Sequence, residues 1–210
     1  MNVPVLIVGG GGHAKVLIEV LRLRSAVILG IVDADPAKIG TEVLGIRVIG
    51  DDTVISQYAP GSISLVNALG SVHLPKARKA VFEKFTTMGF TFATVVHPSA
   101  VVASDVVLGE GVQIMAGAVI QPGSRIGMNT IVNTHASVDH DCLIGDHVHL
   151  APGVTLSGAV RIHNGVHLGT SATVIQGITI GANSLVGAGS VVVTDVPAEV
   201  RVFGAPAKKR

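Results

Sequence analysis

A strict six-residue period runs through the C-terminal half of the chain. From Val96 to Val192 every sixth residue is Val, Ile or Leu, and no slip in register interrupts the series. An α-helix repeats its apolar positions every three or four residues and a half-buried strand every two, so neither explains a period of six. The pattern indicates an internal repeat in which a short strand is followed by a tight corner. The repeated positions are Val96, Val102, Leu108, Ile114, Ile120, Ile126, Val132, Val138, Ile144, Leu150, Leu156, Ile162, Leu168, Val174, Ile180, Val186 and Val192.

The residues around each repeated aliphatic describe the corner. The residue two places before it is commonly small or β-branched, as at Ala118 and Thr130, and the residue after it is often Gly, as at Gly127. Three faces of six residues close a triangular coil of about eighteen residues, and successive coils stack about 4.8 Å apart, like neighbouring strands of a sheet. We therefore expect residues 96–210 to form a parallel β-helix domain with a C-terminal tail.

Length, charge and cysteine content exclude several classes of protein. The chain has 210 residues, a formal net charge of +1 and no run of like charges, so it lacks the electrostatic footprint of a protein that binds nucleic acid or an anionic membrane. Cys142 is the only cysteine and falls at an inward position of the repeat, which predicts a core thiol and no internal disulfide. No segment resembles a signal peptide or is long enough to span a bilayer. These features predict a soluble, cytoplasmic protein with two modest domains.

The N-terminus carries the opening of a nucleotide-binding unit. An apolar run from Val3 to Val8 leads into four consecutive glycines, residues 9–12, and residues 14–23 then have helical apolar spacing. Glycines at such a turn let the backbone approach a phosphate, and the amides at the start of the helix can bind it. A second predicted strand, residues 27–32, delivers Asp33 and Asp35 to the same edge, where a carboxylate can meet a ribose hydroxyl. The alternative is that the glycines only make a turn.

The remaining N-terminal residues complete a small parallel sheet. We predict a strand at residues 63–67, a helix over residues 75–88 and a strand at residues 90–95, after which His97 and Pro98 mark the start of the coils. Roughly ninety residues are too few for a full six-stranded dinucleotide fold. Residues 1–95 are therefore predicted to form a Rossmann-like domain that amounts to half of that fold.

One histidine has neighbours that suit acid–base chemistry. Seven of the nine histidines lie in the coil region, and His140 falls at a corner in the sequence Asp139-His140-Asp141. At a corner, adjacent side chains can turn the same way, so the Asp141 carboxylate could hold the imidazole as a general base. Gly158 follows His140 by eighteen residues and thus lies one coil above it, where its amide could donate to an oxyanion. A solvated surface histidine is the alternative from these residues alone.

Several motifs resemble one family along essentially the whole chain. The sequence is similar to the sugar-nucleotide acetyltransferases that modify 4-amino-4,6-dideoxyhexoses, which belong to the hexapeptide-repeat acyltransferase superfamily and are related to the sialic acid O-acetyltransferases. The motifs are Gly9 to His13, Asn133-Thr134, His140-Asp141, Gly145 to His149, Leu156-Ser157-Gly158, Gly187 to Ser190 and Gly204 to Lys208.

The resemblance implies a left-handed coil, a homotrimer, acetyl-CoA as cosubstrate and no metal. It assigns His140 as the base, Asp141 as the residue that orients it and the Gly158 amide as the oxyanion donor. Because His167 lies one coil above His149, we expect that one of these two is ordinary surface. The implied coenzyme A contacts are Gly169, Thr170, Ser171, Gly187 and Ala188. The expected substrate-binding residues are Gly9, Gly11, Gly12, His13, Asp33, Asp35, Asn67, Gly70 and His149.

The implied reaction is N-acetylation of the 4-amino group of a nucleotide-linked 4-amino-4,6-dideoxyhexose in O-antigen or glycan biosynthesis. GDP-perosamine is the first substrate to consider. A UDP-linked 4-amino sugar of the bacillosamine pathway and O-acetylation of a sialic acid are the alternatives. We expect Asp33, Asp35 and residues 67–70 to determine which nucleobase, guanine or uracil, is bound.

Three other functions fit the sequence less well. A zinc enzyme of the γ-carbonic anhydrase type is suggested by the five-residue spacing of His135 and His140, but the positions two coils earlier are Ser99 and Ser104, so no third nitrogen closes a tetrahedral site. A nicotinamide oxidoreductase would leave the coils without a role. A non-catalytic scaffold would leave His140 and its neighbours without one.

Overall fold

A computed structural model of the chain describes residues 3–71 and 73–209. The two terminal positions predicted as domain ends, residues 1 and 210, lie outside the described residues. An α/β domain comes first and a β-helix follows. The α/β domain contains β1 (Val5–Val8), α1 (Gly12–Leu23), β2 (Ile28–Val32), a 3-10 helix (Pro36–Lys38), β3 (Glu42–Val43), β4 (Ile46–Gly50), a second 3-10 helix (Asp52–Gln57), β5 (Ser64–Asn67), α2 (Lys76–Thr87) and β6 (Thr91–Phe92).

The N-terminal sheet has more strands than the sequence pattern predicts. Its order is β3-β4-β2-β1-β5-β6, and every neighbouring pair is parallel except the antiparallel pair β3–β4. The hairpin of β3 and β4 is not predicted because Glu42 and Arg47 interrupt its apolar residues. The sheet therefore has six strands, although two of them are only two residues long.

The predicted strand at residues 90–95 is divided between the two domains. Thr91 and Phe92 pair with β5, whereas Val95 and Val96 form β7, which pairs with β10 (Gln113–Ile114) of the coils. The backbone changes sheet between Phe92 and Val95, and that change is where the α/β domain gives way to the β-helix.

The β-helix is built from two-residue strands that pair at a separation of eighteen residues. Inward residues of successive coils therefore stack on one another, and they form one continuous apolar core. The strands are β7 (Val95–Val96), β8 (Val101–Val102), β9 (Val107–Leu108), β10 (Gln113–Ile114), β11 (Val119–Ile120), β12 (Arg125–Ile126), β13 (Ile131–Val132), β14 (Ser137–Val138), β15 (Leu143–Ile144), β16 (His149–Leu150), β17 (Thr155–Leu156), β18 (Arg161–Ile162), β19 (His167–Leu168), β20 (Thr173–Val174), β21 (Thr179–Ile180), β22 (Leu185–Val186) and β23 (Val191–Val192).

The three faces of the β-helix are three separate parallel sheets. The first face contains β7, β10, β13, β16, β19 and β22, the second contains β8, β11, β14, β17, β20 and β23, and the third contains β9, β12, β15, β18 and β21. The chain then adds a shorter turn, in which β24 (Arg201–Phe203) pairs with β22 and β25 (Lys208–Lys209) folds back on β24. The eighteen-residue spacing of paired strands therefore ends at β23, where the six-residue period of the sequence also ends.

The first face of the β-helix packs against the N-terminal domain. Its outward residues Gln113, His149 and His167 are each 5% exposed or less. Val95 and Met115 join the core that α1 forms with its own sheet. The two domains thus share a buried interface along this face, and the cavities described below open at its edge.

The helices of the described residues do not provide a membrane span, because none is both long and apolar enough.

Truncation of an inward valine should destabilise the protein more than truncation of an outward one. Val138 in β14 is fully buried, whereas Val101 in β8 of the same face is 61% exposed. We expect Val138→Ala to lower the free energy of unfolding by about 2 kcal/mol and Val101→Ala by less than about 0.5 kcal/mol. Urea unfolding followed by circular dichroism measures both, and equal losses would contradict the assigned register.

Candidate active site

The N-terminal cavity lies where the glycine turn faces the coils. It has a volume of about 620 Å³ and is lined by the α/β domain, by the corner after β13, and by β16 with the corner after it. Seven of the nine predicted substrate-binding residues line it, although they come from four separate segments of the chain. These are Gly9, Gly11, Gly12, His13, Asp33, Gly70 and His149.

The glycine turn opens one wall of this cavity. Gly9 has a positive φ of 100°, a backbone conformation that residues with a side chain rarely adopt, and a Cβ atom there would lie 2.9 Å from the terminal methyl group of Leu69. Helix α1 begins at Gly12, two residues earlier than predicted, and no side chain caps its N-terminus. The N–H groups of Gly12 and His13, two residues that line the cavity, have no acceptor among the described residues, whereas the Ala14 N–H donates to the Gly11 carbonyl at 3.1 Å. Free N–H groups at a helix start can bind an anion.

Asp33 lies at the end of β2 and is held by three donors. The amide N–H groups of Gly10 and Asp35 and the ammonium group of Lys38 donate to its carboxylate at 2.7, 2.9 and 2.8 Å. Burial alone would raise the pKa of Asp33, but these hydrogen bonds lower it overall. Lys38 also lines the cavity. Sequence reasoning missed it because the loop around it has no periodic signal.

The structure does not bring Asp35 or Asn67 to the cavity wall. The Asp35 carboxylate accepts from the amide of Ala37 and so caps the first 3-10 helix. Asn67 is 1% exposed, and its side-chain amide donates to the Arg78 carbonyl and to Asn129. Both side chains are used by backbone caps and the domain interface, which sequence position alone does not reveal.

His13 contacts the coil domain as well as the cavity. Its Nε2 atom lies 2.8 Å from Oε1 of Gln113, a residue 100 positions away in β10. Burial lowers the pKa of His13 to about 4, with a smaller contribution from the charge of Arg78. His13 is therefore a neutral imidazole at pH 7.

A second cavity continues along the first face of the β-helix. It has a volume of about 500 Å³ and shares Ser71, Asn133, His149 and Pro152 with the N-terminal cavity. Four of the five predicted coenzyme A contacts line it, namely Gly169, Thr170, Gly187 and Ala188, while Ser171 does not. Arg201 and Phe203 close its far end and His73 lies on its side. The six-residue period does not include these three positions.

Neither His149 nor His167 is ordinary surface, so the expectation that one of them is was wrong. Each side chain is 5% exposed, and the rings contact edge to face with centroids 5.0 Å apart. Burial lowers the pKa of His149 to about 3 and that of His167 to about 4. The reason is the N-terminal domain, which covers outward positions of this face that a free β-helix would expose.

His140, Asp141 and Gly158 lie together at a different corner. The Nδ1 atom of His140 is 2.8 Å from Oδ2 of Asp141, and a Cβ atom on Gly158 would lie 2.6 Å from Nε2 and Cε1 of that ring. The hydrogen bond to Asp141 raises the pKa of His140. Gly158 is buried next to this ring, and its N–H has no hydrogen-bond acceptor among the described residues.

The corner of His140 and the two cavities occupy different sides of a single chain. His140 follows β14 of the second face, whereas the cavities lie on the first face and the corner after it. Over residues 3–71 and 73–209, no three His, Cys, Asp or Glu side chains are grouped as metal ligands.

Two family descriptions match the chain in the same order as its domains. The PglD N-terminal domain matches residues 4–85, and the bacterial transferase hexapeptide (six repeats) matches residues 105–138 and 123–158. Together with the two joined cavities, this defines a two-domain hexapeptide-repeat transferase.

Similar solved structures define the family in more detail. PerB from Caulobacter crescentus, in complex with CoA and GDP-perosamine, is 45% identical, with a TM-score of 0.92 over 100% of this chain and 98% of that chain. The acetyltransferase domain of PglB from Neisseria gonorrhoeae, in complex with acetyl coenzyme A, is 36% identical, with a TM-score of 0.92 over 100% of both chains. The chain belongs to the PglD-like family of hexapeptide-repeat sugar-nucleotide N-acetyltransferases.

A curated relative matches over a shorter stretch. The UDP-N-acetylbacillosamine N-acetyltransferase of Bacillus subtilis is 43% identical over 126 residues, which cover 53% of this chain and 51% of that protein. The match therefore spans about half the length of the curated relative.

Removal of the Asp141 charge should lower the pKa of His140. In Asp141→Asn the negative charge that stabilises the imidazolium is lost, so the titration of His140 moves to lower pH. NMR titration of the His140 ring measures this shift. Asp105→Asn is the matched control, because Asp105 occupies the same corner two coils earlier and, among the described residues, accepts from the Gly123 amide and not from a histidine. An unchanged His140 titration in Asp141→Asn would contradict the pairing.

Proposed function

We propose that the protein transfers the acetyl group of acetyl-CoA to the 4-amino group of a nucleotide-linked 4-amino-4,6-dideoxyhexose, with GDP-perosamine as the first candidate. The observation that carries the proposal is the junction of the two cavities at Ser71 and His149. One cavity has the features of a nucleotide site, and the other follows the coils of an acyltransferase fold. A sugar bound in the first can therefore meet an acyl donor bound in the second.

The N-terminal cavity supplies complementary groups for a nucleotide sugar. The diphosphate would lie at the start of α1, where open N–H groups and the helix dipole favour an anion. Asp33 would accept a hydrogen bond from a ribose hydroxyl, and Lys38 beside it offers a positive charge to the phosphates or the nucleobase. GDP-perosamine is favoured because the complexes of PerB with this ligand are 43–45% identical to this chain over its whole length.

The proposed base is His140. Its hydrogen bond to Asp141 places the ring proton on Nδ1 and leaves Nε2 as the acceptor. The neutral amine attacks the thioester carbonyl carbon while its proton passes to Nε2, and the Gly158 N–H donates to the developing oxyanion. Collapse of the tetrahedral intermediate breaks the C–S bond, and the thiolate of coenzyme A leaves and takes the proton from Nε2 of His140, which restores the neutral imidazole. Because both the amine and His140 must be neutral, the rate should fall as the pH decreases.

A homotrimer would complete the site. Within one chain, His140 and Gly158 lie at the corner after the second face, away from the cavities of the first face. In a symmetric trimer, neighbouring β-helices meet corner to face, so the catalytic corner of one subunit would lie beside the cavities of the next. This assembly, like the residue roles, is part of the proposal, and the family resemblance supports it.

An assay of thiol release from acetyl-CoA tests the proposed sugar substrate. Free thiol is measured with acetyl-CoA and a panel that contains GDP- and UDP-linked 4-amino-4,6-dideoxyhexoses and a free sialic acid. We expect turnover with GDP-perosamine. Turnover with a UDP-linked sugar alone would assign the reaction named for the Bacillus subtilis relative, turnover with sialic acid alone would overturn N-acetylation, and no turnover would overturn the proposed function.

Replacement of His140 tests the proposed base. We expect His140→Asn to lower kcat about a hundredfold or more with little change in the KM of either substrate. His163→Asn is the matched control, because His163 is another exposed corner histidine outside both cavities. A change in KM alone would make His140 a binding residue.

Mixing of two inactive variants tests whether the site lies between subunits. Co-expression of His140→Asn with a nucleotide-cavity variant, Asp33→Asn, should restore a fraction of the activity, since some interfaces then combine two intact halves. Failure to recover activity, with mixed oligomers shown by mass spectrometry, would place the whole site in one chain.

A further inference from the structure

Ser71, at the junction of the cavities, is the only hydroxyl within the described residues that contacts both His149 and His167. It follows β5 in the loop that lines the N-terminal cavity, and its Oγ atom lies 2.8 Å from Nδ1 of His149 and 3.3 Å from Nδ1 of His167. The two histidines occupy the same position in successive coils. A residue of the N-terminal domain thus links two side chains of the β-helix.

The hydrogen bonds around Ser71 form a chain with one direction. Oδ1 of Asn133 accepts from the amide of Thr134 at 2.8 Å, which leaves its Nδ2 group to donate to Nε2 of His149 at 3.1 Å. His149 must then carry its proton on Nδ1 and donate it to Ser71. The Ser71 hydroxyl proton is therefore free to go to Nδ1 of His167.

The end of this chain is an N–H group on Nε2 of His167. Because Nδ1 accepts from Ser71, the neutral ring of His167 has its proton on Nε2. Burial keeps both imidazoles neutral at pH 7. Nε2 has no hydrogen-bond partner among residues 3–71 and 73–209, and the side chain lines the coil-side cavity.

The position of His167 along the cavity indicates which part of a ligand it meets. It lies one coil, about 4.8 Å, farther from the N-terminal cavity than His149. Leu185 occupies the same position in the next coil, and Arg201 follows it at the far end. A ligand that places its phosphates near the Arg201 cation and its acyl group at the junction would have an uncharged segment beside His167.

We propose that Ser71 is a positioning residue that fixes the proton of His167 on Nε2, and that this N–H donates a hydrogen bond to an amide carbonyl oxygen in the arm of the acyl donor. A neutral N–H suits an uncharged carbonyl, whereas a phosphate is better matched by a cation such as Arg201. The proposal depends on the proposed function for the identity of the ligand, acetyl-CoA. It adds a group from the N-terminal domain to the binding of the coil-side substrate.

Binding of two probes tests the role of His167. Coenzyme A carries the amide arm, and adenosine 3′,5′-bisphosphate lacks it, so calorimetry with both separates recognition of the arm from recognition of the phosphates. His167→Leu should weaken coenzyme A about threefold to tenfold and leave the bisphosphate unchanged. Leu is the matched replacement because Leu185 already occupies this position one coil above.

Two further variants separate the hydrogen bond from packing. His167→Gln places a side-chain N–H near the position of the imidazole Nε2 and should restore most of the affinity for coenzyme A. Ser71→Ala should weaken coenzyme A by less than His167→Leu, because the ring is then free to exchange its proton between the two nitrogens. Thermal unfolding of each variant shows whether the fold is retained.

The ¹⁵N spectrum of histidine-labelled protein gives a readout that a structural role alone would not change. In the wild-type protein the resonances of His167 should show a proton on Nε2, and in Ser71→Ala they should show a mixture of the two neutral forms. A proton on Nδ1 in the wild type, equal weakening of both probes, or a glutamine variant as weak as the leucine variant would each overturn the proposal. If the protein is an active transferase but its affinity for coenzyme A does not depend on His167, the proposal for Ser71 and His167 fails and the proposed function stands. If the protein is inactive on the sugar panel but the variants bind coenzyme A as expected, only the proposed function fails.

Discussion

Backbone hydrogen bonds between coils fix the register of the β-helix. Strands β7 to β20 each pair with the strand eighteen residues later, so a residue and its counterpart in the next coil are direct neighbours. The constraint holds because an inward aliphatic residue returns at each sixth position and a slip would move it out of the core. It also aligns the corners, and this alignment brings Gly158 above His140.

A buried arginine links the two domains. Arg78 of α2 is 1% exposed; its Nε donates to the Asn129 carbonyl in the coils, and Nη1 donates to the carbonyls of Asn67 and Leu69. Burial lowers its pKa to about 9, so it remains a cation at pH 7. Backbone carbonyls, in place of a carboxylate, accept the hydrogen bonds of the guanidinium group. Its Nη2 atom has no acceptor among the described residues. The interaction holds the start of the loop that carries Ser71 against the coils.

The parts of the site that lie within one turn, or at equivalent positions of adjacent coils, were predictable from the sequence. The pairing of His140 with Asp141 and their proximity to Gly158 follow from the corner position and the eighteen-residue register. The position of Gly9 in the cavity wall follows from its place in a glycine turn directly after a strand. The cavity residues Lys38, Ser71 and Arg201 were not predictable, because they lie in segments without a period and reach the site only through contacts with distant residues.

By itself, the sequence determined the β-helix, its coil length and the corner at which His140, Asp141 and Gly158 meet, because each of these rests on contacts that recur at a fixed separation. Only the tertiary structure decided how the N-terminal domain covers the first face. The His13–Gln113 and Ser71–His149 contacts join residues 100 and 78 positions apart. Such contacts depend on how two folded domains pack, and no local pattern encodes them. For the same reason, the structure rather than the sequence showed that Asn67 is part of the interface and that His149 and His167 are both buried.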